Sequence, residues 1–193
     1  MITSNITISK NELPEMVINK NGGREWRLNS KLHRKNGPAV ENMNGTKYWY
    51  IDGKLHREDG PAIEYANGHK EWYLNSKLHR EDGPAIEKSN GDKEWFLYGK
   101  RHRKDGPAVE RSNGIKVWCF NGMLHREDGP AVEYANDRKE WYINDKRHRE
   151  DGPAIEYYSG SKEWWLNGIR IEYDPKTWDQ VVKDCKIDNI MNA

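Results

Sequence analysis

Hydrophobic and polar positions alternate along this chain in short runs, and the runs return at a fixed step of 23 residues. Trp26, Trp49, Trp72, Trp95, Trp118, Trp141 and Trp164 mark the step without one insertion or deletion. In one copy, Pro61-Ala62-Ile63-Glu64-Tyr65 and Lys70-Glu71-Trp72-Tyr73-Leu74 flank Asn67-Gly68. Alternating runs on either side of Asn-Gly predict a β-hairpin, because both central residues of a type I′ turn need positive φ. With Ala66 opposite His69, such a turn pairs Tyr65 with Lys70, Glu64 with Glu71, Ile63 with Trp72 and Ala62 with Tyr73. Strand side chains alternate between faces. Pro61, Ile63, Trp72 and Leu74 are therefore the expected core face, with Ala62, Glu64, Glu71 and Tyr73 opposite.

A constant period of this length predicts stacked repeats that bury their apolar faces against one another. The same step carries His33, His56, His79, His102, His125 and His148, each followed by arginine, and Gly-Pro-Ala triplets from Gly37 to Ala154. Residues 75–84 connect one hairpin to the next. A second turn at Asn75-Ser76 would start a further strand at Lys77–Arg80, but three antiparallel strands per copy would reverse each successive unit. Two strands and a structured connector folded over the core face are expected, with Asp-Gly-Pro as the return turn.

The ends differ from the middle. Residues 1–22 read as an incomplete first unit, with strand-forming residues at Ile6, Ile8 and Met16-Val17-Ile18, supplying a partner strand to the first full repeat. Residues 23–173 are the tandem repeats. In residues 174–193, Asp174 is an expected helix N-cap with Pro175 at the first helical position. Trp178, Val181, Val182 and Cys185 would line one face of that helix, which caps the open end of the sheet. The predicted fold is all-β, an elongated single-sheet stack of hairpin repeats closed by a C-terminal helix.

Composition sharpens this picture. Apolar residues make up only 35% of the chain and charged ones 33%, so the core must come from the nine Trp and ten Tyr at set places in the period. The net charge of +1 offers no basic tail for nucleic acid and no polybasic run for a membrane surface. Cys119 and Cys185 share no metal-like spacing, which argues against a disulfide scaffold. The expectation is a cytoplasmic protein without a signal peptide or membrane span.

The 23-residue period, the aromatic strand followed by Asn121-Gly122-Met123-Leu124-His125, and the second strand ending in Asn-Gly resemble MORN repeats and the hairpin repeats of bacterial YwqK-like proteins. The resemblance covers about residues 15–173. It departs where a MORN unit would place Gly-x-Gly after the histidine. The His-Arg-x-Asp-Gly-Pro-Ala form found here instead is similar to repeats in proteins of large DNA viruses, phages and some bacteria. The resemblance implies a twisted sheet of hairpins used for binding, with scaffolding, dimerisation and lipid contact among the roles of other MORN proteins.

The candidate sites follow from what recurs and what varies. The His-Arg pairs (His56, Arg57, His79, Arg80, His102, Arg103, His125 and Arg126 among them) are expected to be structural, because an active site needs one constellation of unlike groups and not near-identical copies. Their arginines would bridge like-charged pairs such as Glu64 and Glu71 across strands. The alternative is a set of clefts between repeats that take a nucleotide or another small molecule. No catalytic residue, metal ligand or cofactor is expected. What varies after each tryptophan is Arg27, Tyr50, Tyr73, Phe96, Cys119, Tyr142 and Trp165. An aromatic row of Tyr50, Tyr73, Phe96, Tyr142 and Trp165 beside Glu64, Glu87 and Glu133 would suit a protein partner. It would equally suit a second packing layer or a homodimer. A second variable set, Thr46, His69, Asp92, Ile115, Arg138 and Ser161, falls at the expected hairpin tips. The function expected is a non-enzymatic protein-interaction module, one that blocks a host factor if the viral resemblance holds. The alternatives are a self-associating scaffold and a small-molecule binder.

Overall fold

Each copy folds into two hairpins, not one. In the computed structural model, which describes the backbone of residues 13–191 and the side chains of residues 13–186, strand Ile63–Glu64 pairs with Lys70–Glu71, and Tyr73–Leu74 pairs with Lys77–Leu78. The strands expected around Ile6 and Ile8 lie outside the described residues. Trp72 parts the two hairpins. Its N–H donates to the Ala85 carbonyl of the following copy at 2.8 Å, and its own carbonyl accepts the His79 N–H at 3.0 Å. The expected connector is thus a second hairpin. Strand parity survives, because both of its strands leave the main ladder together.

The two turns explain the register. Asn75 and Ser76 both have positive φ (51° and 62°), so the type I′ turn belongs to the second hairpin. At Asn67-Gly68 only the glycine has positive φ. Gly68 N–H donates to the Tyr65 carbonyl and Tyr65 N–H to the His69 carbonyl, which makes a three-residue loop: a type I turn followed by a glycine bulge. That loop pairs Ile63 with Glu71 and Glu64 with Lys70. The expected pairs were Ile63 with Trp72 and Glu64 with Glu71. A slip of one residue between strands moves side chains to opposite faces. Ile63 and Trp72 therefore do not share a face, and Glu64 does not oppose Glu71. Glu140 and Glu163 likewise face Val132 and Ile155, not Glu133 and Glu156. Glu64 instead lies between Lys47 and Lys70, and Glu133 between Lys116 and Lys139.

The strands fall into two compact units. In the first, which runs to Gly91 and takes in Phe96–Gly99, the antiparallel order is Glu15–Ile18, Arg24–Leu28, Val40–Glu41, Lys47–Tyr48, Ile63–Glu64, Lys70–Glu71, Ile86–Glu87. In the second, Asp92–Trp95 and Lys100 onward, it is Lys93–Glu94, Val109–Glu110, Lys116–Val117, Val132–Glu133, Lys139–Glu140, Ile155–Glu156, Lys162–Leu166, Ile169–Ile171. The second hairpins are stitched from copy to copy as well. Ser76 N–H donates to the Leu55 carbonyl, Gly122 N–H to that of Arg101, and Asp145 N–H to that of Leu124. The core is thin: Ala39, Ala62, Ala85, Ala108, Ala131 and Ala154 are wholly buried, beside Ile63, Val109, Val132 and Ile155.

The ends follow the expectation in part, since the α-helix begins at Trp178 and not at Pro175. Glu15–Ile18 pairs with Arg24–Leu28, Met16 facing Trp26, and supplies the missing strand. At the other end Asp174 Oδ1 accepts the Lys176 N–H, and the α-helix Trp178–Met191 follows. Trp178 is buried and donates Nε1–H to the Glu150 carbonyl at 2.8 Å. Val181, Val182 and Cys185 on the same side are half-buried. Where this last copy has Glu172 in place of arginine, the Tyr173 ring stacks on Trp164 at 4.1 Å and takes over the cover. No helix among the described residues is long and apolar enough to cross a membrane.

Candidate binding faces

One face is built by the repeated motif. Arg57 lies over the Trp49 ring at 4.2 Å, and Arg34, Arg80, Arg103, Arg126 and Arg149 lie over Trp26, Trp72, Trp95, Trp118 and Trp141 at 3.7–4.1 Å. Behind the guanidinium stands the motif glycine. A Cβ on Gly60, Gly83, Gly129 or Gly152 would come within 2.9 Å of the arginine Cζ. The planar cation is thus held between an indole and a backbone, an arrangement that lysine cannot reproduce. Three of its donors are engaged: Arg80 Nε–H to Asp82 Oδ1 (2.9 Å), and Nη1–H to the Pro84 carbonyl (3.3 Å) and Glu87 Oε1 (2.9 Å). The guanidinium hydrogen bond holds the Asp59, Asp82 and Asp128 carboxyls below the usual range. Arginine, tryptophan, aspartate, glycine, proline and glutamate of the motif are one ladder.

The histidines complete it. His56 Nδ1 accepts the Asn75 N–H of the next copy (3.4 Å), and His148 Nδ1 accepts that of Asn167 (3.1 Å). The same asparagines bring Oδ1 to 3.2 Å from His56 Nδ1 and 2.9 Å from His148 Nδ1, and on the other side of the ring Glu58 Oε1 lies 3.5 Å from His56 Nε2 and Glu150 Oε1 3.6 Å from His148 Nε2. His79, His102 and His125 are tied to Tyr98, Asn121 and Asn144 in the same way. Between successive loops run open clefts of about 530–780 Å³; the first is lined by Arg34, Lys35, Trp49, Ile51, His56 and Arg57. Among the described residues no cluster of His, Cys, Asp and Glu has the arrangement of a metal site.

The other face differs in every copy. Trp−3, Trp−1 and Trp+1 share one side of the strand: Thr46-Tyr48-Tyr50, His69-Glu71-Tyr73, Asp92-Glu94-Phe96, Ile115-Val117-Cys119, Arg138-Glu140-Tyr142 and Ser161-Glu163-Trp165. The aromatic row is half-buried, and three of its rings are hydrogen-bonded. Tyr73 donates to Glu71 at 2.9 Å, Tyr142 to Glu140 at 2.7 Å, and Trp165 Nε1–H to Glu163 at 2.9 Å. Glu140, 2% exposed, lies within 2.6 Å of Arg138 and 3.5 Å of Arg147. Glu94, 4% exposed, accepts from Arg101 and Arg111; burial acts to raise its pKa, but the two guanidinium groups outweigh it and hold it low. Burial and the neighbouring Glu71 push Tyr65 up to about 12, and Tyr73 rises for the same reasons.

The sequence-selected residues are therefore divided between the faces. Tyr50, Tyr73, Phe96, Tyr142 and Trp165 stand on the variable side, whereas Glu64, Glu87 and Glu133 bind Arg57, Arg80 and Arg126 on the tryptophan side. The acids beside the aromatics are Glu71, Glu94, Glu140 and Glu163. The set placed at hairpin tips does close the loops, since Tyr65 N–H donates to the His69 carbonyl and Tyr157 N–H to that of Ser161, but Thr46 and Asp92 are buried, and Asp92 Oδ1 accepts the Ser112 N–H of the following copy. Arg101 and Arg147 escaped notice, although their signal is visible. They replace Leu55, Leu78 and Leu124 at the same step, in copies whose Trp−1 residue is a buried glutamate. Comparison with protein-family models and with curated proteins gave no match for this chain.

Proposed function

We propose that this chain is a non-enzymatic protein-interaction module that offers its variable face to a protein partner. One observation carries this reading. Change from copy to copy is concentrated on the side of Tyr50, Tyr73, Phe96, Tyr142 and Trp165, while the tryptophan side repeats the same ladder. A face that differs in each unit offers one non-repeating pattern, which a single partner can recognise in one register. Tyr73, Tyr142 and Trp165 are half-buried and held by hydrogen bonds, and such rigidity lowers the ordering cost of binding. The MORN-like character of the repeat supports a binding role. The His-Arg-x-Asp-Gly-Pro-Ala form, through its resemblance to viral and phage repeats, makes a host protein the first class to test. Glu64, Glu87 and Glu133, expected beside the aromatics, are bound to the motif arginines and take no part in this face.

The test is a hydrogen-exchange footprint of the complex recovered from host-like lysate. Protection of residues 46–50, 69–73 and 138–142, with loss of the complex in a folded Tyr50→Ser, Tyr73→Ser, Phe96→Ser variant, is the expected result. Protection confined to the His-Arg loops would overturn it. Self-association is a second reading, favoured by strand Glu15–Ile18. It ends the ladder among the described residues and leaves Met16, Val17 and Ile18 exposed. A mass that rises with concentration and falls back in Val17→Lys would select it.

A further inference from the structure

Two of the six motif loops break the arginine ladder, and they do so together. Loops 57–60, 80–83, 126–129 and 149–152 read Arg-Glu-Asp-Gly, and in each the arginine Nε–H donates to the aspartate at 2.8–2.9 Å. Loops 34–37 and 103–106 read Arg-Lys-Asn-Gly and Arg-Lys-Asp-Gly. In these two the glycine swings to φ 148° and 156°, and neither Arg34 nor Arg103 bonds the residue at the aspartate position. The change follows the lysine, since Asp105 is present and still turns away from Arg103. Where the other loops set a glutamate 3.5–3.7 Å from the histidine Nε2, Lys35 and Lys104 supply no acceptor.

The consequence is an open guanidinium edge. Arg34 and Arg103 use Nη1 for a proline carbonyl and a glutamate, and among the described residues their Nε and Nη2 have no partner. Their side chains are 28% and 29% exposed, against 20–22% for the four closed arginines. Arg34 and Lys35 form one wall of the cleft of about 720 Å³ whose floor is Trp49 and Ile51. That wall has no carboxylate, since Asn36 stands where the aspartate would be. On the facing wall Asp59 is neutralised by Arg57, which leaves Glu58 as the one acid that opposes an anion there.

We propose that this cleft binds a small oxyanion, phosphate or carboxylate. It would be gripped by the paired N–H edge of Arg34 and by the amine of Lys35. Two parallel guanidinium donors fit either oxyanion in bidentate fashion, and lysine adds a point charge. The cleft at Arg103 and Lys104 is the weaker relative, because Asp105 remains in its loop. The inference is independent of the protein-partner reading, which concerns the opposite face.

The experiment titrates the full chain with pyrophosphate and, separately, with citrate, following the arginine Nε–H resonances by NMR and the heat of binding. Saturable movement of the Arg34 signal is expected with at least one of the two, and which one tells phosphate from carboxylate. The double variant Lys35→Glu, Asn36→Asp restores the Arg-Glu-Asp-Gly loop that four copies fold stably. It should close Arg34 onto the carboxylate introduced at position 36 and weaken binding by about tenfold or more. Glu58→Gln should tighten it. No saturable response from Arg34 in the wild type would overturn the proposal. So would unchanged affinity in the double variant, whose circular dichroism and melting curve report its folding. If that variant fails to fold, Lys35→Ala decides in its place, with retained affinity counting against the site.

Discussion

On the tryptophan side of the sheet the same side chains recur in copy after copy, whereas on the other side no two copies carry the same trio. The backbone and its hydrogen bonds are common to both. What separates them is the source of each side chain's partners. A motif arginine takes its indole, glycine, proline carbonyl, aspartate and glutamate from the repeat itself, so changing any one unseats the others. On the variable side Glu71 is met by tyrosines and His69, Glu140 by Arg138, Arg147 and Tyr142, and the corresponding Val117 pairs with Val109 and Val132. Each solution differs from the others and draws on its own copy and the next. One face is a repeated lattice and the other a row of differing cells.

The strongest way to break this contrast is on the lattice side. Arg80→Ala should cost about 2–3 kcal/mol in urea unfolding, through lost cation–π contact and charge-assisted hydrogen bonds. Arg80→Lys should recover little, for want of the planar fork. On the variable side, Glu140→Ala leaves Arg138 and Arg147 facing each other without their acid, at a cost of about 2 kcal/mol for a network whose arginines still reach water. Transplanting the neighbouring cell as a set (Arg138→Ile, Glu140→Val, Tyr142→Cys and Arg147→Leu) should restore most of that stability. Failure of the transplant in the same urea experiment would mean that a cell is not complete without its neighbours.

Smaller effects sharpen the same point. Gly83→Ala should cost about 1 kcal/mol by displacing the Arg80 guanidinium, and the cost should vanish when Arg80 is already alanine. Gly68→Ala, with positive φ and open space around it, should cost a similar amount that adds to Arg80→Ala without coupling. The last effect is silent at neutral pH. Tyr65 ionises near 10 when unfolded and near 12 when folded, so its contribution is complete below pH 10 and is lost as pH rises through 12. Tyrosinate absorbance should show Tyr65 and Tyr73 titrating after the other tyrosines, and Tyr65→Phe should lessen the alkaline loss of stability.

Much of the molecule was legible in the residues. The unbroken tryptophan step announced the stack, Met16-Val17-Ile18 the missing first strand, and Asp174-Pro175 the turn that leads into the helix at Trp178. The aromatic row was legible too, but not its neighbours. Asn67-Gly68 supports a two-residue type I′ loop or a three-residue loop with a bulge, and nothing local in Tyr65–His69 chooses between them. Asn75-Ser76, a poorer turn signal than Asn-Gly, is the one that took the type I′ form. The departure of Lys35 and Lys104 from the motif was visible in the letters, yet the opening of Arg34 and Arg103 was not, because whether an arginine reaches the residue two places on is set by the folded loop.

The amino-acid sequence by itself determined the repeat, its length, its hairpins and its two end caps, because periodicity and turn chemistry act over short distances. Only the tertiary structure decided which side chains share a face. One residue of turn length reverses that assignment, and the choice rests on contacts between copies: Trp72 N–H on Ala85, Ser76 N–H on Leu55, and arginine lying between indole and glycine. Those contacts exist only once neighbouring copies are stacked.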